Sequence, residues 1–248
     1  MKFIGIDLAW TYKNESGICV LNESGEVERL DAAVFSNTDI TDIIMAYRGE
    51  PMTIAIDAPL IVNNVTGGRG AESALMRARI NGHRLFAFNS SRSFLTKRFG
   101  DIRGEILTNE IKSVLPEVEI GYRHNETNIV ETFPTGICCG LFPDMFPIRY
   151  KKKRRVSFKE SCEEMERLIE RFSRIEDAGE VRGLMTKLSR EEKGYTRRLH
   201  KHLEDKIDAF LCAYGMYTIY KKQSGVNIYG DEQDGFILIP VKIDKTLN

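Results

Sequence analysis

The chain has 248 residues, 42% hydrophobic and 29% charged, a composition typical of a globular protein long enough to bury a large core. Its 36 basic and 36 acidic residues cancel, so bulk charge does not indicate a nucleic-acid or membrane partner. The apolar runs are too short to span a membrane and the N-terminus leads into a predicted strand, which predicts a cytoplasmic protein without membrane association. Five cysteines without CxxC spacing favour buried thiols over a zinc site or disulfides.

Two short apolar runs, at residues 3–8 and 53–58, each carry an aspartate near their C-terminal end: Asp7 and Asp57. Their β-branched residues and short length predict strands that are buried on both faces of a sheet. A carboxylate in such a place needs a compensating partner, because burying an unpaired charge is costly.

The residues between these runs predict how the two strands are arranged. An apolar run at 18–21 and an alternating polar and apolar segment at 26–30 predict an antiparallel meander with the first strand, and residues 36–47 predict a helix. A right-handed crossover then places the strand at 53 beside the first strand and parallel to it. Both aspartates are expected at one sheet edge, where two like charges favour an intervening cation.

Two later segments carry further acids. Residues 128–134 form a third apolar run that ends in Glu131 before a proline, and taken alone this glutamate is simply a strand-end acid facing water. A late helix carries Asp205 and Asp208, which are three residues apart and share a face beside the apolar stripe. A structural interpretation of this pair needs a nearby lysine or arginine, whereas a functional one needs the cation already invoked.

The middle and the end of the chain are less informative. The glycine-rich residues 63–70 predict a loop that is either a flexible connector or functional. Phe86, Phe88 and Phe94 are interpreted as packing and not as a surface for base stacking. Apolar runs at 226–229 and 236–241 predict a peripheral hairpin.

A basic run precedes a predicted helix whose start is marked by a capping box at residues 157–160; a second capping box falls at 189–192. Between residues 149 and 201 there are 17 basic and 10 acidic residues. Such a run is either a solvated loop or a binding site for the phosphate backbone of a nucleic acid. The predicted nucleic-acid contacts are Lys151, Lys152, Lys153, Arg154 and Arg155.

Four motifs, at residues 5–10, 56–60, 131–134 and 205–209, resemble those of the family called domain of unknown function 429, described as predicted nucleases of RNase H fold. The wider fold, shared with RuvC resolvases, implies an aspartate on the first strand, an acid after the fourth strand and one or two acids on a late helix. Carried over by position, these are Asp7, Asp57, Asp208 and Asp205, and Glu131 matches the family's strand-end glutamate.

The resulting prediction is one α/β domain over residues 1–248. It has an RNase H-like mixed five-stranded sheet in order 3-2-1-4-5, helices on both faces and a C-terminal hairpin. Segments at about 61–126 and 149–201 are predicted to be an insertion and a basic helical region.

The predicted function is a nuclease that uses two metal ions. Oxygen ligands favour Mg²⁺ or Mn²⁺ over zinc. Asp7 would bridge both ions, Asp57 would hold one with Glu131, and Asp208 would hold the other with Asp205.

Two alternatives remain open. The first is a sugar or acetate kinase of the same broad fold, which needs a glycine and a small hydroxyl residue after the first aspartate to cradle phosphate. Leu8, Ala9 and Trp10 stand there instead. The second is a scaffold that keeps the fold without catalysis. The presence of all four or five candidate acids argues against it.

Overall fold

The computed structural model describes residues 1–88, 90–188 and 195–243. Within them, eight strands form two sheets. The strands are β1 (Lys2–Asp7), β2 (Ser16–Asn22), β3 (Val27–Ala33), β4 (Met52–Ile56), β5 (Glu119–Ile120), β6 (Asn128–Glu131), β7 (Ser224–Asp231) and β8 (Gly235–Lys242). The helices are α1 (Asn37–Met45), α2 (Gly70–Arg77), α3 (Arg92–Phe99), α4 (Arg103–Val114), α5 (Pro134–Leu141), α6 (Phe158–Asp177), α7 (Leu184–Lys187) and α8 (Arg197–Tyr220), with a short 3-10 helix at Pro143–Met145.

The larger sheet is mixed, with strand order β3-β2-β1-β4-β6-β5. The pairs β1–β2 and β2–β3 are antiparallel, whereas β1, β4, β6 and β5 run parallel. It has one strand more than the five predicted, because β5 adds a two-residue edge beside β6. No apolar run marks β5 in the sequence. Its two residues also add little to the core, because Glu119 is exposed and Ile120 is only partly buried.

Helices cover both faces of this sheet, and the alternation of side chains along each strand sorts the residues between them. On β1, Phe3 lies in the core formed with α5, α6 and α8, whereas Ile4 and Ile6 lie in the core formed with α1 and α4. Asp7, the last residue of β1, lies on the same face of the strand as Phe3 and therefore faces α8.

Helix α8 lies directly against β1 and β2 because two glycines leave room for its backbone. A Cβ on Gly5 would lie 2.0 Å from the Ala209 carbonyl oxygen, and one on Gly17 would lie 1.9 Å from the Asp205 carbonyl oxygen. Any side chain at either position would collide with the helix, so these glycines set the distance between α8 and the sheet.

The helix starts agree in part with the capping signals. Ser157 caps α6 by accepting a hydrogen bond from the Glu160 backbone N–H, as the first capping box predicted. The box at 189–192 lies outside the described residues. Helix α8 is capped by Thr196, whose hydroxyl accepts from the Leu199 N–H at 3.1 Å. None of the helices in the described ranges has the length and apolarity that crossing a membrane requires.

The C-terminal hairpin is not peripheral, so that prediction was wrong. Leu238 and Ile239 of β8 are fully buried, and the Thr132 hydroxyl at the end of β6 donates to the Leu238 carbonyl at 2.7 Å. Six consecutive residues of β8 are buried. A continuous apolar run of this kind is typical of a strand covered on both faces.

Candidate metal centre and its cleft

Three of the predicted acids come together above the C-terminal ends of β1 and β4. Asp7 ends β1, Asp57 directly follows β4, and Asp208 projects from α8, which crosses the same face of the sheet. One carboxylate oxygen from each of these residues lies within 4.8 Å of the others. Asp208 is buried, and the other two side chains are half-buried.

These carboxylates line a cleft of about 700 Å³ that is open to solvent. Cationic side chains of Lys13, Arg198 and Lys201 lie along the same cleft, as do the rings of Trp10 and Phe88. The site therefore combines an acidic group with basic and aromatic side chains in one opening large enough for a polymer segment or a small molecule.

Burial and charge make this group electrostatically unfavourable without a cation. Burial, followed by the charges of Asp208 and Asp57, raises the pKa of Asp7 well above its ordinary value. Burial also raises the pKa of Asp57 to about 7, although the Lys151 ammonium acts in the opposite direction. Both aspartates consequently hold protons more tightly than exposed aspartates do, as expected for like charges in a poorly solvated place.

Asp208 already has partners from the chain. The Lys151 Nζ lies 2.5 Å from its Oδ2, and the Tyr150 hydroxyl donates to its Oδ1. Lys151, predicted as a contact for nucleic acid, is thus an ammonium within the carboxylate site. The next four residues of the basic run, 152–155, are exposed, and the Lys152 ammonium donates to the Val156 carbonyl.

Asp205 lies one helical turn before Asp208 and is also buried. Its Oδ1 forms an ion pair with the Lys201 Nζ at 2.6 Å. Its Oδ2 is buried and accepts no hydrogen bond from a donor among the residues that the structure describes, but the Asp205 carboxyl lies within hydrogen-bonding reach of Asp7, so the two can share a proton or a cation. Buried polar atoms are almost always satisfied, so this oxygen is available to a bound cation. An all-oxygen donor set fits Mg²⁺ or Mn²⁺.

Glu131 lies at the same edge of the sheet as Asp57, but on the opposite face. In the β4–β6 pairing it is opposite Ile56, so alternation turns it away from the face that carries Asp57. The Arg69 guanidinium donates to both of its oxygens, and the Leu60 N–H donates to Oε2 at 3.1 Å. The structure therefore places Glu131 on the cleft wall with a protein cation as partner, outside the three-carboxylate group.

Sequence reasoning missed two arginines that support the cleft. Arg69 is 1% exposed and joins Glu131 to Glu72 through a second buried ion pair, at 2.9 Å. Arg103 donates to the Ala9 carbonyl at 3.0 Å and to the Phe35 carbonyl at 2.6 Å, which fixes the loop after Asp7. Both lie in the segment at about 61–126 that was predicted as an insertion and given no site residue, although the opposite charges at positions 69 and 72 were a usable signal.

The comparisons with known proteins give one match. A model of the family described as proteins of unknown function, DUF429, matches residues 5–233. No curated protein and no solved structure matches the chain significantly. The matched range covers most of the chain and contains all five predicted acids. The chain therefore belongs to the DUF429 family of proteins of unknown function.

Proposed function

We propose that this protein is a nuclease that hydrolyses phosphodiester bonds of nucleic acid with the help of divalent metal ions. The observation that carries the proposal is the group formed by Asp7, Asp57 and Asp208, whose oxygens lie within 4.8 Å of one another in an open cleft. Converging carboxylate oxygens are the ligands that a hard cation prefers, and a cation would relieve the repulsion that raises the pKa values of Asp7 and Asp57.

The topology supports the same proposal. An antiparallel β3-β2-β1 meander followed by parallel strands, with acids after the first and fourth strands and on a late helix, agrees with the RNase H-like arrangement that the motifs implied. A fold alone does not determine function, so the proposal depends on the geometry of the site.

The residues that would hold the metal are Asp7, Asp57 and Asp208, with the Oδ2 of Asp205 beside them. When bound at such a site, Mg²⁺ or Mn²⁺ activates the attacking water and neutralises charge on the leaving oxygen. The chain itself supplies the remaining parts. Lys151 and Tyr150 hold the Asp208 carboxylate in a fixed orientation through its two oxygens.

The cations of the cleft would bind and orient the substrate. Lys13 and Arg198 line the same opening as the carboxylates, and Arg198 is exposed in the first turn of α8. A negatively charged phosphodiester would otherwise be repelled by the acidic group. Basic side chains beside that group attract the backbone and place a phosphate next to the carboxylates.

The test is cleavage of end-labelled DNA and RNA, single-stranded and duplex, with Mg²⁺, Mn²⁺ or EDTA. The wild type should cleave only with metal, and Asp7→Asn and Asp57→Asn should reduce cleavage to background. Mn²⁺ binding by calorimetry gives a readout that does not depend on activity, and it should weaken in both variants. Absence of cleavage on every substrate would contradict the proposal, and binding of an ATP analogue in its place would favour the kinase alternative.

A further inference from the structure

Four aromatic rings form a cluster, and two of them, Trp10 and Phe88, line the cleft. Trp10 stacks on Phe99 with ring centroids 4.9 Å apart, and Phe88 lies 5.1 Å from Trp10 and 5.4 Å from Phe94. Phe88 is 46% exposed and Phe94 is 42% exposed. Phe86, Phe88 and Phe94 were interpreted as packing. Phe88 and Phe94 do pack against each other, but both present large faces to solvent, and Phe86 is 85% exposed.

The aromatic cluster belongs to the same opening as the carboxylates. Trp10 and Phe88 line the cleft together with Asp7. Trp10 follows Asp7 by three residues, so their backbones are at most about 10 Å apart. This distance is short enough for one or a few nucleotides of a strand to span it. A strand with one phosphate at the carboxylates can thus reach the rings with a nearby base.

The backbone next to Trp10 is held in place before any ligand binds. The Ala9 N–H donates to the Ser16 hydroxyl at 3.0 Å, and the Ala9 carbonyl accepts from Arg103 at 3.0 Å. Stacking on a fixed ring costs less conformational entropy than stacking on a mobile one. Such a cluster is therefore suited to binding and not only to covering the loop.

We propose that the aromatic cluster stacks an unpaired base of the substrate, so that this protein acts on single-stranded or locally unpaired nucleic acid. The inference rests on the proposed nuclease function and deepens it. Every base has an aromatic face, but inside a duplex both faces are covered by neighbouring pairs. The adjacent Lys13 and Arg198 favour a polyanion over an apolar protein segment as the occupant.

The chain offers a direct reporter and a matched control. Trp10 is its only tryptophan, so fluorescence excited selectively at tryptophan, and not at the nine tyrosines, reports on the cluster. Phe86 is 85% exposed and does not line the cleft, whereas Phe88, two residues later, does. The variants Phe88→Ala and Phe86→Ala therefore remove the same ring inside and outside the cleft, and Phe88→Leu tests whether an apolar side chain of similar bulk is enough.

The experiment measures binding in EDTA by anisotropy of labelled single strands, duplexes and abasic strands of equal length, together with quenching of Trp10. Base-bearing single strands should quench Trp10 and bind more tightly than duplex or abasic strands. Phe88→Ala should weaken their binding about fivefold or more. It should leave the affinity for abasic strands unchanged, and Phe86→Ala should change neither. Thermal melts confirm that each variant is folded.

Equal affinity of the wild type for single strands and duplex, or an equal loss for abasic and base-bearing strands in Phe88→Ala, would overturn the inference. The same holds if Phe88→Leu binds as the wild type does. The nuclease proposal is judged separately by metal-dependent cleavage in the wild type. A wild type that cleaves with metal while Phe88→Ala binds normally refutes base stacking alone.

Discussion

At the scale of single residues, Asp7 and Asp57 are two like charges at the end of neighbouring parallel strands. Asp7→Asn removes one of these charges and should leave the fold intact while modestly raising the melting temperature of the metal-free protein. With Mn²⁺ the order should reverse. At a metal concentration 100 times Kd, binding stabilises the wild type by about 2.7 kcal/mol, and the variant gains less.

The measurement is a set of thermal melts with EDTA and with Mn²⁺. Asp42→Asn, on the exposed side of α1, controls for the loss of one negative charge. A variant Asp7→Asn that melts earlier than the wild type in EDTA would show that Asp7 is a structural hydrogen-bond acceptor.

The raised pKa of Asp57 predicts how stability depends on pH. Its pKa is about 7 in the folded protein against 3.8 in an unfolded chain, so the folded state binds more protons between these values. The free energy of unfolding of the metal-free protein should therefore fall as pH rises from about 4 to 7. Asp7, shifted in the same direction, contributes with the same sign.

Urea denaturation in EDTA from about pH 4 to pH 7 measures this slope, and Asp57→Asn should flatten it. Because protons and metal compete for the same oxygens, stabilisation of the wild type by Mn²⁺ should increase over the same range. A variant with the slope of the wild type would assign the pH dependence to other groups.

Lys151 is the internal counter-ion of Asp208, and both side chains are largely buried. Lys151→Met leaves the carboxylate without its ammonium, so it should destabilise the metal-free protein by about 3–5 kcal/mol. Mn²⁺ should restore more stability to this variant than to the wild type, since the ion supplies the missing positive charge. Lys152→Met, which removes the neighbouring ammonium whose partner is the Val156 carbonyl and not a carboxylate, is the control in melts with and without metal. A similar small effect of both substitutions would contradict this role.

At the scale of secondary-structure elements, the position of α8 over β1 determines whether the late acids reach Asp7. Gly5→Ala places a methyl group against the helix backbone, because its Cβ would lie 2.0 Å from the Ala209 carbonyl. Overpacking of this kind typically costs about 1–3 kcal/mol. It should also weaken Mn²⁺ binding, since α8 carries Asp205 and Asp208.

Gly49→Ala is the matched control, because a Cβ there meets no atom within 4 Å among the described residues. Melting temperature and calorimetric Mn²⁺ affinity should both fall for Gly5→Ala and stay unchanged for Gly49→Ala. If metal affinity is retained despite the lost stability, the acids do not depend on the distance between α8 and the sheet.

The sequence predicted well those elements whose apolar residues follow a clear helical or strand pattern. Helix α6 has a buried stripe and a serine cap, and β1 and β4 are apolar runs of strand length. Helix α3 could not be found in this way, because Leu95 is its only buried residue. The burial of β8 was misjudged although its run of apolar residues resembled the central strands.

The site was predictable only up to the end of each strand. Side-chain alternation decides which face an acid takes, and it is invisible in β6 because Ile129 and Val130 are both apolar and serve opposite faces. Glu131 was therefore grouped with Asp57 in the prediction. Lys151 likewise looked the same as the four cations after it, and only the tertiary structure pairs it with Asp208.

At the scale of the whole molecule, a neutral chain separates its charges within one opening. Acids come together at the strand ends, whereas Lys13, Arg198 and Lys201 line the surrounding walls. Net charge therefore says little about this protein's partners. The local arrangement favours an anionic ligand that is drawn towards an acidic centre by the cations around it.

The exposed part of the basic run provides the last prediction. Arg154 and Arg155 are exposed, so they are free to contact phosphates beyond the cleft. Each phosphate contact contributes about 0.7 to the slope of log K against log salt on a single strand. Arg154→Gln with Arg155→Gln should therefore lower that slope by about 1.4 and weaken binding to all sequences alike.

The control is Lys221→Gln with Lys222→Gln, which removes the same charge just after the other end of α8, about 20 Å from Asp208 along the helix. Anisotropy titrations of one labelled strand at several salt concentrations give both slopes. If the two double variants change the slope equally, the effect is that of net charge. An unchanged slope in both would mean that residues 154 and 155 belong to a solvated loop, and that the cations of the cleft alone bind the backbone.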